Sequence, residues 1–140
     1  MRNRDVSIVT ELGHHGTYSV PASGAIVLTV PVLNVIAGDP FFFDLETLPP
    51  AVSLPQGERV GLRQRIVRAV VLFADAYSAT VNGARVETRY AGEAWDDPIT
   101  PLNGHHQIST LGYSRDPTIT IGQEDPLFTR VLGATLEVNV

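Results

Sequence analysis

Apolar and polar residues alternate along several short stretches of this chain. In residues 83–90, Val86, Thr88 and Tyr90 fall on one side of an extended backbone, and arginine and glutamate residues fall on the other. Residues 77–81 alternate in the same way, and the Asn82-Gly83 pair between the two stretches accepts the positive φ angles of a type I′ turn. The pattern therefore predicts a β-hairpin over residues 77–90.

The same periodicity of two recurs elsewhere. At the C-terminal end, Leu132, Ala134, Leu136, Val138 and Val140 share one face of a predicted strand. Further strands are predicted over residues 6–12, 24–30, 32–37, 41–47, 107–111 and 118–121. About nine short strands at this spacing are typical of a sandwich or a barrel-like domain.

Residues 63–73 fit two descriptions. Ile66, Ala69, Val70 and Phe73 have helical spacing, but the stretch is rich in β-branched residues and has no helix cap before it. We therefore predict a strand here, buried on both faces near its end.

The length of 140 residues suits one domain with its own core. Residues 49–61 are rich in proline and poor in pattern, which predicts a connector between an N-terminal strand set, 1–48, and a C-terminal strand set, 62–140. Residues 91–105 form a second irregular stretch, predicted as a loop that contacts something. The sequence as a whole predicts an all-β protein with a single β-sandwich or barrel-like domain of short antiparallel strands.

The charge balance excludes several function classes. The net charge of −5 argues against a nucleic-acid binder that relies on phosphate neutralisation, and against binding to an anionic membrane. The absence of cysteine excludes disulfides, thiolate metal sites and thiol nucleophiles. The longest apolar run, residues 69–74, is far shorter than the ~20 residues of a membrane helix, so no membrane segment is expected.

Histidine is the main candidate for metal binding. The sequence contains two Gly-His-His triplets, which place His14 beside His15 and His105 beside His106. Four imidazoles would suit a metal if the two segments met in space. Neighbouring residues on an extended chain point in opposite directions, however, so we predict polar turn residues, no metal site and no cofactor.

Carboxylates are the remaining candidates for catalysis. Asp44 and Glu46 would share one strand face, but a glycosidase needs two carboxylates that flank a sugar cleft, and we predict a solvated face instead. Trp95 stands beside Asp96 and Asp97, where a loop with an aromatic anchor for a protein contact is the favoured interpretation. We predict no catalytic residues and no enzymatic activity, since none of the common catalytic motifs is present.

The C-terminal half resembles a known family. Gly112-Tyr113-Ser114-Arg115 precedes a predicted strand, Gln123 stands three residues before Pro126-Leu127, and a last apolar strand carries Glu137 near the chain end. This order is similar to the closing segment of the tail nozzle proteins of short-tailed bacteriophages, also called tail tubular or stabilisation proteins. Residues 38–41, 46–49 and 63–73 resemble earlier stretches of the same family. Phe128 and Gly122 depart from its pattern, and a complete nozzle chain is several times longer.

The resemblance implies a structural virion protein that forms part of a nozzle or tube ring around the DNA channel of a phage tail. It implies a hexameric ring, contacts with other tail proteins (adaptor, nozzle or fibres), and DNA that passes through the lumen without specific binding. It also implies assembly in the host cytoplasm into the virion tail. We expect Trp95, Asp96, Asp97 and Arg115 at the interface. A receptor- or glycan-binding baseplate or fibre-attachment module and a capsid decoration protein remain as alternatives.

Overall fold

A computed structural model describes residues 4–51, 53–54, 57–58, 63–89, 91–109 and 112–139. The described residues form antiparallel strands and contain no helix, which confirms the all-β prediction. In chain order the strands are β1 (Asp5–Thr10), β2 (Gly13–Ser19), β3 (Val35–Gly38), β4 (Asp44–Glu46), β5 (Ser53–Leu54), β6 (Gly57–Glu58), β7 (Arg65–Ala76), β8 (Thr80–Val81), β9 (Ala84–Arg85), β10 (Leu102–Ser109), β11 (Thr120–Gly122) and β12 (Arg130–Asn139).

The main core lies between two sheets. One sheet has the order β10-β7-β12 and the other β4-β11-β8-β9. Every second side chain of β7 from Ala69 to Phe73 is buried, and these side chains share a cluster with Val81 and Ile121 of the second sheet. Burying an aliphatic or aromatic side chain of this size stabilises the fold by about 1.5 to 3 kcal/mol. The described strands form open sheets that pack as a small sandwich, as expected.

β7 resolves the ambiguity of residues 63–73 in favour of a strand. It pairs with β10 on one side and with β12 on the other, over almost its whole length. The β-branched side chains pack well on a pleated surface between two neighbours, and this outweighs the helical spacing of the apolar residues. From Ala69 to Phe73 one face of β7 is buried, and Val70 and Leu72 on the opposite face are half-buried.

A second, smaller core belongs to the N-terminal sheet, which has the order β2-β1-β3. Val6, Ile8 and Val20 are buried there. The two strand sets are not separate, because β4 pairs with β11 and the Ile99 N–H donates to the Glu11 carbonyl. Parts of the predicted connector, residues 52, 55–56 and 59–61, lie outside the described residues.

The predicted hairpin is present, with shorter strands. Asn82 and Gly83 have φ angles of 50° and 74°, as a type I′ turn requires, and β8 and β9 flank them. The prediction that the second strand continues beyond Arg85 is wrong. The Arg89 side chain is bonded to carbonyl groups of residues 94 and 97, and the chain turns towards that loop instead. Tyr90 lies outside the described residues.

Several other predicted boundaries are wrong. Residues 24–30 are irregular, and the strands expected at 32–37, 41–47 and 118–121 shrink or shift to β3, β4 and β11. β10 begins at Leu102, so the predicted loop 91–105 ends earlier, while Leu111 and Val140 lie outside the described residues. In β12, a register shift between Val131 and Gly133 moves Leu132 out of the core face, so that Val131, Leu136 and Val138 pack inward.

Candidate functional site

The loop of residues 91–99 carries an exposed tryptophan on a fixed support. The Trp95 side chain is 87% exposed. The Arg89 guanidinium lies 5.7 Å from the centroid of its ring. The same guanidinium donates to the carbonyls of Ala94, Asp97 and Leu12, at 2.8, 3.1 and 3.4 Å. Arg89 therefore ties the loop to the turn between β1 and β2 and lies beside the Trp95 ring at cation–π distance.

A polar cavity of about 430 Å³ opens beside Trp95. Its wall contains charged and aromatic side chains from three parts of the chain: His14, Tyr77, Arg85, Glu87, Arg89, Trp95 and Asp125. In such a cavity the aromatic ring is able to stack on the apolar face of a small polar ligand. The carboxylates and guanidinium groups are able to form hydrogen bonds with its hydroxyl groups. The structure thus places the exposed Trp95 side chain beside a polar cavity that is large enough for a small ligand.

The four predicted interface residues do not form one cluster. Trp95, Asp96 and Asp97 share the 91–99 loop, and all three are exposed. Arg115 is also exposed but lies in another loop, next to Ser114, whose backbone pairs with Gln64 before β7. Within the described part of the chain, no hydrogen bond or ion pair joins Arg115 to the other three.

A chain of hydrogen bonds that the sequence did not predict crosses from the N-terminal sheet to residue 125. The Ser7 hydroxyl lies 2.9 Å from Nε2 of His14, and Nδ1 of His14 lies 3.2 Å from Oδ1 of Asp125. Val9 and His14 are register partners in β1 and β2, so Ser7 and His14 project from the same sheet face. Since Asp125 is 111 residues from His14, no local motif could have indicated this contact.

The atoms of this chain follow the order of a Ser-His-Asp triad. Two features differ from a working nucleophile. Ser7 lies in the middle of β1 and is only 5% exposed, and it is not part of the wall of the polar cavity. A substrate carbonyl would need to reach the Ser7 hydroxyl to react, and in this arrangement the hydroxyl is covered.

Asp125 is the junction of the network. Besides His14, its carboxylate accepts a hydrogen bond from Arg85 at 3.0 Å, and its backbone N–H donates to the Ser78 hydroxyl at 3.0 Å. Asp125 thus joins β2, the residues before β8, and β9. The network links the N-terminal sheet to the sheet that contains β8 and β9.

The histidine pairs lie in strands, so the expectation that they are turn residues is wrong. His14 points towards Ser7 and Asp125, whereas His15 contacts the Tyr18 hydroxyl at 2.6 Å. His105 and His106 belong to β10, where neighbouring residues alternate between the two faces. The described residues contain no group of three or more side chains able to hold a metal ion.

Chelation should therefore leave the stability of this protein unchanged. We expect the same Tm in a large excess of EDTA as in buffer, because no folding energy is expected to come from a bound ion. Thermal unfolding followed by circular dichroism measures this. A drop of many degrees that zinc restores would contradict the prediction.

The two carboxylates of β4 face its partner strand. Glu46 accepts a hydrogen bond from the Thr118 hydroxyl at 2.7 Å. Asp44 is the register partner of Gly122, and a Cβ added at Gly122 would meet the Asp44 carboxylate. Glycine at this position leaves the space that the Asp44 side chain occupies.

Apolar side chains are exposed over much of the remaining surface. Those with large exposed fractions are Val27, Leu33, Ile36, Phe41, Phe42, Leu48, Tyr113, Phe128 and Leu132. Some of them border a mostly apolar cavity of about 460 Å³, whose wall includes Val9, Ile36, Tyr77, Ile99, Leu127 and Phe128. Of the exposed apolar side chains, Ile36 and Phe128 line this cavity and offer a contact surface to another apolar group.

Glu11 fastens the chain at one border of this apolar surface. Its carboxylate accepts hydrogen bonds from the backbone N–H groups of Leu33 and Asn34, at 2.6 and 2.9 Å. These bonds lower the pKa of the Glu11 carboxyl, and the bond from Leu33 has the largest effect. The two hydrogen bonds therefore favour the ionised form of Glu11, which accepts them.

Comparison with known proteins adds no relative. No protein-family model and no curated protein matches this chain. Within its described part, the chain contains no helix of the length and apolarity needed to cross a bilayer.

Proposed function

We propose that this chain is a structural subunit of a bacteriophage tail, one copy in a closed ring or tube around the DNA channel. The observation that carries the proposal is Trp95, exposed on a loop that Arg89 holds in place. Tryptophan and arginine are among the residues most enriched at interface hot spots, and a loop that is already hydrogen-bonded loses little conformational freedom on binding. The resemblance of the C-terminal half to tail nozzle proteins supplies the biological setting, with a hexamer as the expected ring.

The charge of the chain agrees with a position around DNA. A net charge of −5 without lysine gives a surface that does not hold a passing polyanion. The other tail proteins, whether adaptor, nozzle or fibres, would contact the two ends of the ring. In this proposal the polar network of Ser7, His14 and Asp125 is structural and the chain is not an enzyme.

Replacing Trp95 by alanine should weaken assembly and leave the isolated domain folded. We expect a loss of about 2 kcal/mol or more per contact, the size of a hot-spot effect. Sedimentation velocity and native mass spectrometry over a concentration series measure it. Tyr113→Ala is the matched control, since Tyr113 is also an exposed aromatic residue stacked on an arginine, Arg65, at 5.5 Å. Equal assembly of Trp95→Ala and the unmodified chain would remove Trp95 as the anchor.

A reconstruction of the virion tests the ring itself. We expect about a dozen copies or fewer per particle, arranged in a ring of the tail. Hundreds of copies on the head would instead identify a capsid decoration protein. Absence of the chain from the particle would end the proposal.

The polar cavity beside Trp95 favours a second candidate, a receptor- or glycan-binding module. Its wall brings Trp95 together with the carboxylates of Glu87 and Asp125, an arrangement that suits a sugar ring with its hydroxyl groups. Binding to a glycan panel, measured by calorimetry, separates the two functions. Sugar binding that is lost in Trp95→Ala while the oligomeric state stays unchanged would support the module and contradict the anchor.

A further inference from the structure

Residues 25–30 have the sequence of a strand, but none of the strands that the structure describes pairs with them. The stretch Ala-Ile-Val-Leu-Thr-Val is uncharged and rich in β-branched residues. Its side chains alternate as in a strand: Ile26 and Leu28 pack on the N-terminal core, while Val27 is 86% exposed.

Hydrogen bonds fix the backbone on either side of this segment but not within it. The Gly24 N–H donates to the Pro21 carbonyl at one end, and Glu11 holds the N–H groups of Leu33 and Asn34 at the other. Among the described residues, no backbone hydrogen bond joins residues 25–30 to another part of the chain. Backbone N–H and C=O groups are obligatory hydrogen-bonding groups, so this segment is available for pairing.

The same chain presents an unprotected sheet edge. Among the described strands, β3 pairs with β1 alone. It contains no charged residue, and Ile36 is 72% exposed. By contrast, the edge strand β12 has two register shifts and carries Arg130 and Glu137, which are ion-paired to β7. Bulges and charges are the usual protection of an edge, and β3 has neither.

Pairing within one chain is opposed by the contacts that fix the segment. Ile26 and Leu28 are held on the face of the N-terminal sheet, whereas β3 lies at its edge. Glu11 holds the intervening residues 33 and 34, and Pro31 lacks the N–H that a continuous strand would use. These contacts keep residues 25–30 from pairing with β3 of the same copy.

We propose that residues 25–30 of one copy add as a strand to β3 of a neighbouring copy. This rests on the proposed function, which supplies the neighbouring copies. The two surfaces are different parts of the chain, so the contact is head-to-tail, which forms a closed ring when the rotation between copies closes and an open filament otherwise. Residues 25–30 and β3 are both short, apolar and uncharged, so each suits the other in a second copy better than it suits a charged protein segment. Backbone hydrogen bonds hold the two strands together. Ile36 of β3 lines the apolar cavity, so the added strand lies next to that cavity.

Cross-linking of mixed variants tests the pairing, because the full chain contains no cysteine. Val27→Cys and Ile36→Cys are prepared separately, and both sites are exposed, so folding is preserved. A short bismaleimide is then added to each variant alone and to their mixture. A Val27→Cys mixture with Leu132→Cys, on β12, is the matched control.

We expect about tenfold more cross-linked dimer in the Val27→Cys and Ile36→Cys mixture than in the control, because strand pairing raises the effective concentration of the two thiols. Native mass spectrometry of the same samples reports the oligomer independently. Rings without this cross-link would overturn the strand pairing and leave the ring proposal intact. Equal cross-linking in single-variant samples would overturn the head-to-tail contact. Monomers at every concentration would overturn both proposals.

Discussion

Replacing Phe73 by alanine should lower the free energy of unfolding by about 3 to 5 kcal/mol, the usual cost of removing a buried aromatic side chain. Phe73 is 1% exposed and is among the largest fully buried side chains in the described residues. It lies in β7, with Gly104 of β10 and Val131 of β12 as its register partners. Truncation would leave a cavity at the centre of the sandwich, where β7 is hydrogen-bonded on both sides and cannot easily move to fill it.

The loss is measurable by denaturant unfolding followed by circular dichroism. Typical domains are stable by about 5 to 15 kcal/mol, so this single change removes a large share of the total. Phe42→Ala is the matched control, because the same side chain is 55% exposed there, and its expected cost is below about 1 kcal/mol. Similar losses in both variants would mean that the core does not lie around β7.

The parts of the fold that the sequence predicts are those specified by local chemistry. Asn82-Gly83 forms the predicted turn because both residues accept positive φ angles. β7 is a strand because its β-branched residues suit a pleated surface with neighbours on both sides. In each case the residues that determine the structure are adjacent in sequence.

The parts that it fails to predict depend on long-range partners. The stretch Gly13–Ser19 forms β2 although its residues are mostly polar, because β1 offers it a register partner at almost every position. Residues 24–30 show the opposite case, since strand-forming residues remain irregular where no described strand pairs with them. Leu132 leaves the core face because of a bulge, which periodicity alone does not reveal.

The candidate site also has features that the sequence predicts and features that depend on distant residues. An exposed aromatic anchor at Trp95 follows from its setting among polar residues in a predicted loop. The cavity beside it does not, because its walls come from β2, the residues around β9 and residue 125. Likewise, the contact of His14 with Asp125 joins residues 111 positions apart.

Replacing Asp125 by alanine should lower the free energy of unfolding by about 2 to 3 kcal/mol, since hydrogen bonds to charged groups contribute about 1.5 to 3 kcal/mol. The change removes the acceptor of both His14 and Arg85. The Asp125 and His14 side chains are each only partly exposed, so water replaces the lost partner incompletely. Asp96→Ala is the control: Asp96 is exposed, and we expect a change within about 0.5 kcal/mol.

A double-mutant cycle with His14→Ala isolates the contribution of the His14–Asp125 contact. Residues that share one hydrogen-bond network show coupling energies of about 0.5 to 3 kcal/mol, and we expect a value in this range. A value near zero would mean that the contact adds nothing to the stability of the fold. The same proteins treated with a fluorophosphonate probe test the catalytic alternative. Because the Ser7 hydroxyl is covered, we expect no labelling, whereas labelling that disappears in Ser7→Ala and in His14→Ala would contradict the structural role and indicate a reactive triad.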